Sequence, residues 1–208
     1  LQNKKQKRVR QMSRLFRALA LVLLAASCGG GSGTAPNQLD NACAIVGERP
    51  EYLRAFSAVE RKYGVPIHVQ MATIYQESKF ISNARTPYRY AAGVIPLGRV
   101  SSAFGYSQAL NGTWEEYLDD TGRRTARRDR IRDATDFIGW YMVETQSRLG
   151  IPVSDARNQY LAYHEGRSGY QRGTYNGKPW LVRVAGEVDQ RADMYAVQLQ
   201  SCRGRWRG

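Results

Sequence analysis

Apolar residues recur along most of this chain at intervals of three and four, the spacing that puts them on one face of an α-helix. Pro50 opens the first such stretch, with Leu53, Phe56, Val59 and Tyr63 in phase, and Gly64 closes it. Pro66 suits the first turn of a second helix carrying Ile67, Met71 and Ile74 on one face. Thr113 and Glu116 have the spacing of a capping box, which predicts a short helix after an Asn111-Gly112 turn. The longest stripe lies between Arg130 and Leu149, through Ile131, Ala134, Phe137 or Ile138, Tyr141, Met142 and Thr145, and Gly150 with Pro152 ends it. Ser154 is placed to cap a helix reaching Tyr163, and Leu181, Val184, Val188, Tyr195 and Leu199 mark a last one. No alternation of period two holds over several residues, although 86–101 has room for a short hairpin. The pattern is mainly α.

Between the helices, residues 81–104 and 164–180 are rich in Gly, Tyr, Arg, Ser and Asn. Loops on a rigid helical scaffold are where binding chemistry concentrates. Tyr88, Tyr90, Tyr106, Tyr163, Tyr170 and Tyr175 lie in or beside these two segments. A tyrosine offers a ring to stack on the CH-rich face of a sugar and a hydroxyl to bond to it. For any single one of them, plain packing is the simpler reading.

The length of 208 residues, with 42% hydrophobic, suits one domain with a real core. The formal charge of +13 invites a nucleic-acid partner, but its distribution argues otherwise. Residues 1–27 hold Lys4, Lys5, Lys7, Arg8, Arg10, Arg14 and Arg17 with no acid. Without those seven, 24 basic residues face 18 acidic ones, a balance of only +6. That modest excess fits an anionic cell wall or lipid head groups better than DNA or RNA. No nucleic-acid partner is expected.

The basic stretch runs into an apolar segment, Leu19 to Ala26, and then Ser27-Cys28. A positive start, a short apolar core and small residues before a cleavage point read as a secretory signal. The segment falls short of the roughly 20 apolar residues a membrane span needs. Ala25-Ala26-Ser27-Cys28 resembles a bacterial lipobox, with the usual Leu one place further upstream at Leu24. From Met12 the chain reads as a conventional lipoprotein signal by itself. The expected organisation is a signal peptide over 1–27, a Gly/Ser-rich tether over 28–38 beginning with an acylated Cys28, a folded domain over 39–203, and a basic tail over 204–208. The expected place is the periplasmic face of a bacterial membrane, with the outer membrane preferred. Gly29 gives no clear retention signal.

Removing Cys28 leaves Cys43 and Cys202, one at each end of the expected domain. An even pair in an oxidising compartment reads as a disulfide, with two free thiols as the alternative. Closing so long a loop is worth at most roughly 4–5 kcal/mol in the chain-entropy model. The two histidines, His68 and His164, are too few and too isolated for a metal site, and no cofactor is expected.

Glu77 follows Met71 and Ile74 along the apolar edge of its helix. A carboxyl there is drawn out of water, which raises its pKa toward the range a general acid needs at neutral pH. Taken alone, a glutamate at a helix end is more often a surface or hydrogen-bonding residue. Its surroundings change that reading. Ala72-Thr73-Ile74 and Gln76-Glu77-Ser78-Lys79-Phe80, with Asn83-Ala84 downstream, resemble the A-x-I-x-x-E-S-x-F-x-x-x-A signature of the lytic transglycosylase SLT domain. Ala103-Phe104-Gly105-Tyr106-Ser107-Gln108 is similar to that family's A-x-G-L-M-Q segment. Asp136-Phe137-Ile138-Gly139-Trp140-Tyr141 resembles its N-I-x-x-G-x-x-Y helix, and Ala162-Tyr163-His164-Glu165-Gly166 its A-Y-N-A-G segment. The four matches come in family order across about 90 residues.

This resemblance implies a single lysozyme-like domain of the goose type, in glycoside hydrolase family 23, acting on the MurNAc-β-1,4-GlcNAc bond of peptidoglycan. It implies Glu77 as the catalytic acid and then base, attack by the MurNAc C6 hydroxyl, and 1,6-anhydro ends. Most glycosidases use two carboxylates, and substrate-assisted enzymes are the exceptions. It further implies Ser78, Gly105, Tyr106, Gln108 and Tyr163 as substrate-binding positions, peptidoglycan glycan strands as partner, and a cell-wall or secretion machine as a further one. The chain departs from the family pattern at Tyr106-Ser107, in place of Leu-Met, and at His164-Glu165, in place of Asn-Ala. Glu165 therefore stands either as an extra carboxylate able to activate water or as a loop charge. A muramidase on the same fold and a catalytically silent glycan-binding lipoprotein are the rival readings.

Overall fold

A computed structural model of the chain describes residues 33–202. The expected signal peptide, acylated Cys28, the tether as far as residue 32 and the basic tail lie outside the described residues. From Thr34 onward the chain forms one unit. It holds the apolar core found among the described residues and a disulfide between Cys43 and Cys202, the features of a unit that folds on its own.

Eight α-helices and one two-stranded sheet make up the described residues, in the mainly α arrangement expected. α1 (Ala42–Glu48) is capped by Asn41, whose side chain accepts from the Ala44 amide. The hydrophobic pattern did not show so short a helix. α2 (Pro50–Tyr63) starts at the proline and stops at Gly64, whose φ of 72° only glycine adopts without strain. α3 (Ile67–Ser78) follows Pro66, which stands one place before the first turn. α4 spans Asn111–Thr121 and α5 Ile131–Leu149, the latter closed by left-handed Gly150. α6 (Ala156–Glu165) is followed by short α7 (Arg167–Gln171), a 3-10 turn (Thr174–Gly177) and long α8 (Pro179–Cys202).

α5 is the central helix, covered over most of its length. Its Phe137, Ile138 and Met142 are fully buried with Phe56 of α2 and Tyr117 of α4. α2 crosses α5 at Gly139, where a Cβ would lie 2.5 Å from Tyr63 and 2.7 Å from Val59. That crossing accounts for the glycine of the third motif. Beside it, buried Asp136 accepts from Lys62 Nζ (2.9 Å) and Tyr117 Oη (2.9 Å) and pairs with Arg123 (2.7 Å). A charge inside a fold needs such partners.

Two helix starts differ from the expected ones. α4 begins at Asn111 itself, with Leu110 at the cap and no capping box from Thr113. The Ser102 hydroxyl accepts from the Asn111 amide, and Arg128 donates to its side chain. A neighbouring segment thus does the work of a local cap. α6 is capped by Asp155, which accepts from the Asn158 amide at 2.9 Å, rather than by Ser154. The segment 164–180, read as a loop, is folded into a helical turn and a 3-10 turn.

β1 (Tyr88–Ala91) and β2 (Ile95–Arg99) form an antiparallel hairpin within 86–101, irregular between Arg89 and Tyr90. Its stem continues downward through bridges from Arg85 to Phe104 and from Phe104 to Ala109.

Candidate active site

α3 ends abruptly. Lys79 and Phe80 both adopt left-handed backbone (φ 52° and 62°), a costly conformation for two consecutive side-chain-bearing residues. Burial holds the turn in place. Phe80 is fully buried and stacks on Tyr52 at 5.8 Å between ring centroids. The stop leaves Glu77 in the last turn of the helix, one turn beyond buried Ile74 and partly exposed.

Burial pushes the Glu77 carboxyl up to about 7, against a hydrogen bond from Tyr160 and the positive charge of Lys79, both of which favour the ionised form. The negative end of the α3 dipole acts in the same direction as burial. Tyr160 stands buried on α6, and its own hydroxyl is raised by burial, by the Glu77 charge and by donating to that carboxyl. It also pairs with Gln76. Tyr160 was not among the expected site residues. It lies three places before Tyr163, one turn back on the same face of α6, and that spacing was the available signal.

Tyr163 approaches the same carboxyl but its hydroxyl goes elsewhere. The Oη donates to the Ser107 carbonyl at 2.6 Å, while burial first and the Glu77 charge second raise it well above the ordinary tyrosine range. Its ring meets Tyr141 at 5.0 Å. Gln108, in left-handed backbone (φ 49°), donates through Nε2 to the carbonyls of Ala84 (3.0 Å) and Gly105 (2.8 Å). Gln108, Tyr163, His164 and Glu165 line a recess of about 230 Å³.

The other expected positions are more inward. Ser78 is buried and its hydroxyl donates back to the Ile74 carbonyl at 3.2 Å. Gly105 has a φ of 79°, and a Cβ there would fall 2.2 Å from the Arg128 carbonyl, so the close approach this glycine permits is to protein backbone. Tyr106 is buried, its hydroxyl 3.0 Å from that of Tyr52. Glu165 lies in the recess wall. Hydrogen bonds from Lys178 (2.7 Å and 3.0 Å) and from the Thr174 hydroxyl hold its carboxyl down at about 2. Among the described residues no group of three or more His, Cys, Asp or Glu is placed to hold a metal ion.

A family model for the transglycosylase SLT domain matches residues 16–202. The chain belongs to this family. No curated protein matches it significantly. Tyr163 lines the recess and feels the Glu77 charge, so the carboxyl and the recess are neighbours. The family acts on peptidoglycan in the manner of a lytic transglycosylase, and this SLT domain is an enzyme domain of that general type.

Proposed function

We propose that this SLT domain cleaves the MurNAc-β-1,4-GlcNAc bond of peptidoglycan without water, leaving 1,6-anhydro-MurNAc ends, with Glu77 as acid and then base. The observation that carries this is the Glu77 carboxyl, pushed up to about 7 by burial and held by Tyr160. A group with that affinity for a proton is half protonated near neutrality and serves both directions of transfer. In the first step Glu77 gives its proton to the glycosidic oxygen as the C1–O bond breaks. In the second the carboxylate takes the proton of the MurNAc C6 hydroxyl as O6 bonds to C1. Atoms balance with no other reactant.

Glu165 supports this reading over hydrolysis. Held near 2 by Lys178 and Thr174, it has little basicity left to activate a water molecule. Gln108 and Tyr163 line the wall against which the sugars would lie, with the Gln108 amide fixed by Ala84 and Gly105. Digestion of purified sacculi by residues 34–208, with mass analysis of the released muropeptides, tests the proposal. Anhydro ends are expected, and Glu77→Gln should lower their release by about 10³-fold or more while the fold is kept. Reducing ends would establish a muramidase instead. Unimpaired release by the variant would remove Glu77 from the mechanism.

We further propose that Cys28 carries the lipid that holds the enzyme to the periplasmic face of a bacterial membrane. The basic start, the apolar run and Ala25-Ala26-Ser27-Cys28 support it. Labelled palmitate should enter the full chain and be lost in Cys28→Ala; no incorporation into the parent chain rejects the anchor.

A further inference from the structure

Ten large apolar side chains stand exposed among the described residues, and eight of them lie between Ile81 and Leu110. Five of these, Tyr88, Tyr90, Val94, Ile95 and Leu97, stand on the hairpin. At its tip Val94, Ile95 and Leu97 are 76%, 58% and 59% exposed. Isolated exposed apolar residues are ordinary, but a cluster on one projecting element marks a surface that meets something.

The order of residues along the hairpin narrows what that is. From Ala91 to Gly98 the sequence reads AAGVIPLG, eight residues without one side chain able to donate or accept a hydrogen bond. Just below come exposed Tyr88 and Tyr90, their rings 6.3 Å apart, and Arg99, whose guanidinium lies 4.4 Å over the Tyr88 ring. Arg89 and Arg85 are exposed nearby. Between Glu77 and Glu115 there are four basic residues, Lys79, Arg85, Arg89 and Arg99, and no acidic one. An aliphatic tip followed by a band in which tyrosines and arginines alternate, Tyr90, then Arg89, then Tyr88 opposite Arg99, with no acidic counter-charge, matches the hydrocarbon edge and the anionic head-group layer of a bilayer.

We propose that the 88–99 hairpin docks on an anionic lipid surface, with Val94, Ile95 and Leu97 entering the acyl region and Arg89 and Arg99 meeting the head groups. A glycan strand fits less well, because sugars need hydrogen-bonding side chains and the tip has none. The hairpin rises from the site itself. The Ala84 carbonyl, at its foot, accepts from both the Gly105 amide and the Gln108 side chain. From the Thr86–Ser101 contact to the tip at Gly93 is seven residues, a rise of about 20 Å. Docking would therefore hold the recess at a set height and orientation over the membrane, independently of any lipid at Cys28.

Residues 34–208, which lack the basic and apolar N-terminal stretch, provide the test. The protein should sediment with phosphatidylcholine–phosphatidylglycerol vesicles and much less with phosphatidylcholine alone, and high salt should weaken it. Val94→Asp with Leu97→Asp should lower vesicle partitioning by about tenfold or more, since both side chains would leave hydrocarbon. These positions are exposed, so thermal melting should be unchanged, and release of muropeptides from sacculi should persist. Failure of the parent protein to bind the mixed vesicles overturns the proposal, as does equal binding by the double variant. Loss of sacculus binding with vesicle binding intact would make the hairpin a wall of the glycan site. Loss of self-association in sedimentation, again with vesicle binding intact, would make it a contact between copies. Neither result bears on Glu77.

Discussion

Glu77 owes its chemistry to where α3 stops. Three places past Ile74 it stays on the apolar side of the helix, and the left-handed Lys79–Phe80 turn keeps further chain from covering it. Burial raises its proton affinity while Tyr160, by donating to the carboxylate, restrains the rise. The sign of a Tyr160→Phe change follows. Losing that donor disfavours the ionised form, so the Glu77 pKa climbs above about 7. Activity that needs the protonated acid would then persist to higher pH. The alkaline limb of the pH–rate profile should move up by about one pH unit, a bond to a charged group being worth about 1.5–3 kcal/mol. A limb that stays in place or falls would detach Tyr160 from the acid. Glu77 was singled out in the sequence by the SLT-like segment around it, since its phase with Ile74 alone left a surface role the simpler reading. Tyr160 was not assigned because its role depends on how α6 packs against α3, and Tyr163 on the same face drew the reading.

At the scale of elements, most helices could be read from periodicity, since burial of one face is what stabilises each of them. Their starts were less legible. Thr113 and Glu116 carry the capping-box letters, yet Ser102 and Arg128, distant in sequence, organise the first turn of α4. Likewise the hairpin could be placed within 86–101, but not its exposed tip. Gly139 shows the opposite case, a motif residue whose reason appears only in the crossing of α2 and α5. Gly139→Ala should gain about 1 kcal/mol of helix propensity and lose more by overpacking against Tyr63 and Val59. A net loss of about 1–2 kcal/mol is expected in urea titration. Unchanged or increased stability would mean that Tyr63 moves aside freely.

The unit from Thr34 onward is tied near the two limits of its described residues. Cys43 lies in α1 and Cys202 at the end of α8, 159 residues apart in sequence, with a Cα–Cα distance of 6.1 Å. Around the bond, Gln198 accepts from the Ala42 amide and donates to the Asp40 carbonyl, so the two ends are also held by ordinary hydrogen bonds. Cys43→Ala with Cys202→Ala should therefore leave a folded domain, less stable by up to about 5 kcal/mol as unfolded-chain entropy is restored. A loss of that size belongs in a comparison of urea midpoints under oxidising conditions. No loss would mean that residual contacts already restrict the unfolded chain when the bond is absent.

No helix among the described residues is long and apolar enough to cross a membrane. By itself the sequence determined the helical class and the family, and made a Cys43–Cys202 disulfide one of two readings, the one the structure shows. The helical class rests on local phase, the family on short motifs each set within one helix or turn, and the cysteine reading on an even count after Cys28. Only the tertiary structure decided that Tyr160 bonds to the Glu77 carboxyl, that Glu165 is bound to Lys178, that Gly105 and Gly139 serve backbone and helix packing, and that the hairpin tip is exposed. Those facts depend on which surfaces meet across long stretches of chain, where hydrogen bonds and burial are set by packing rather than by neighbours in sequence.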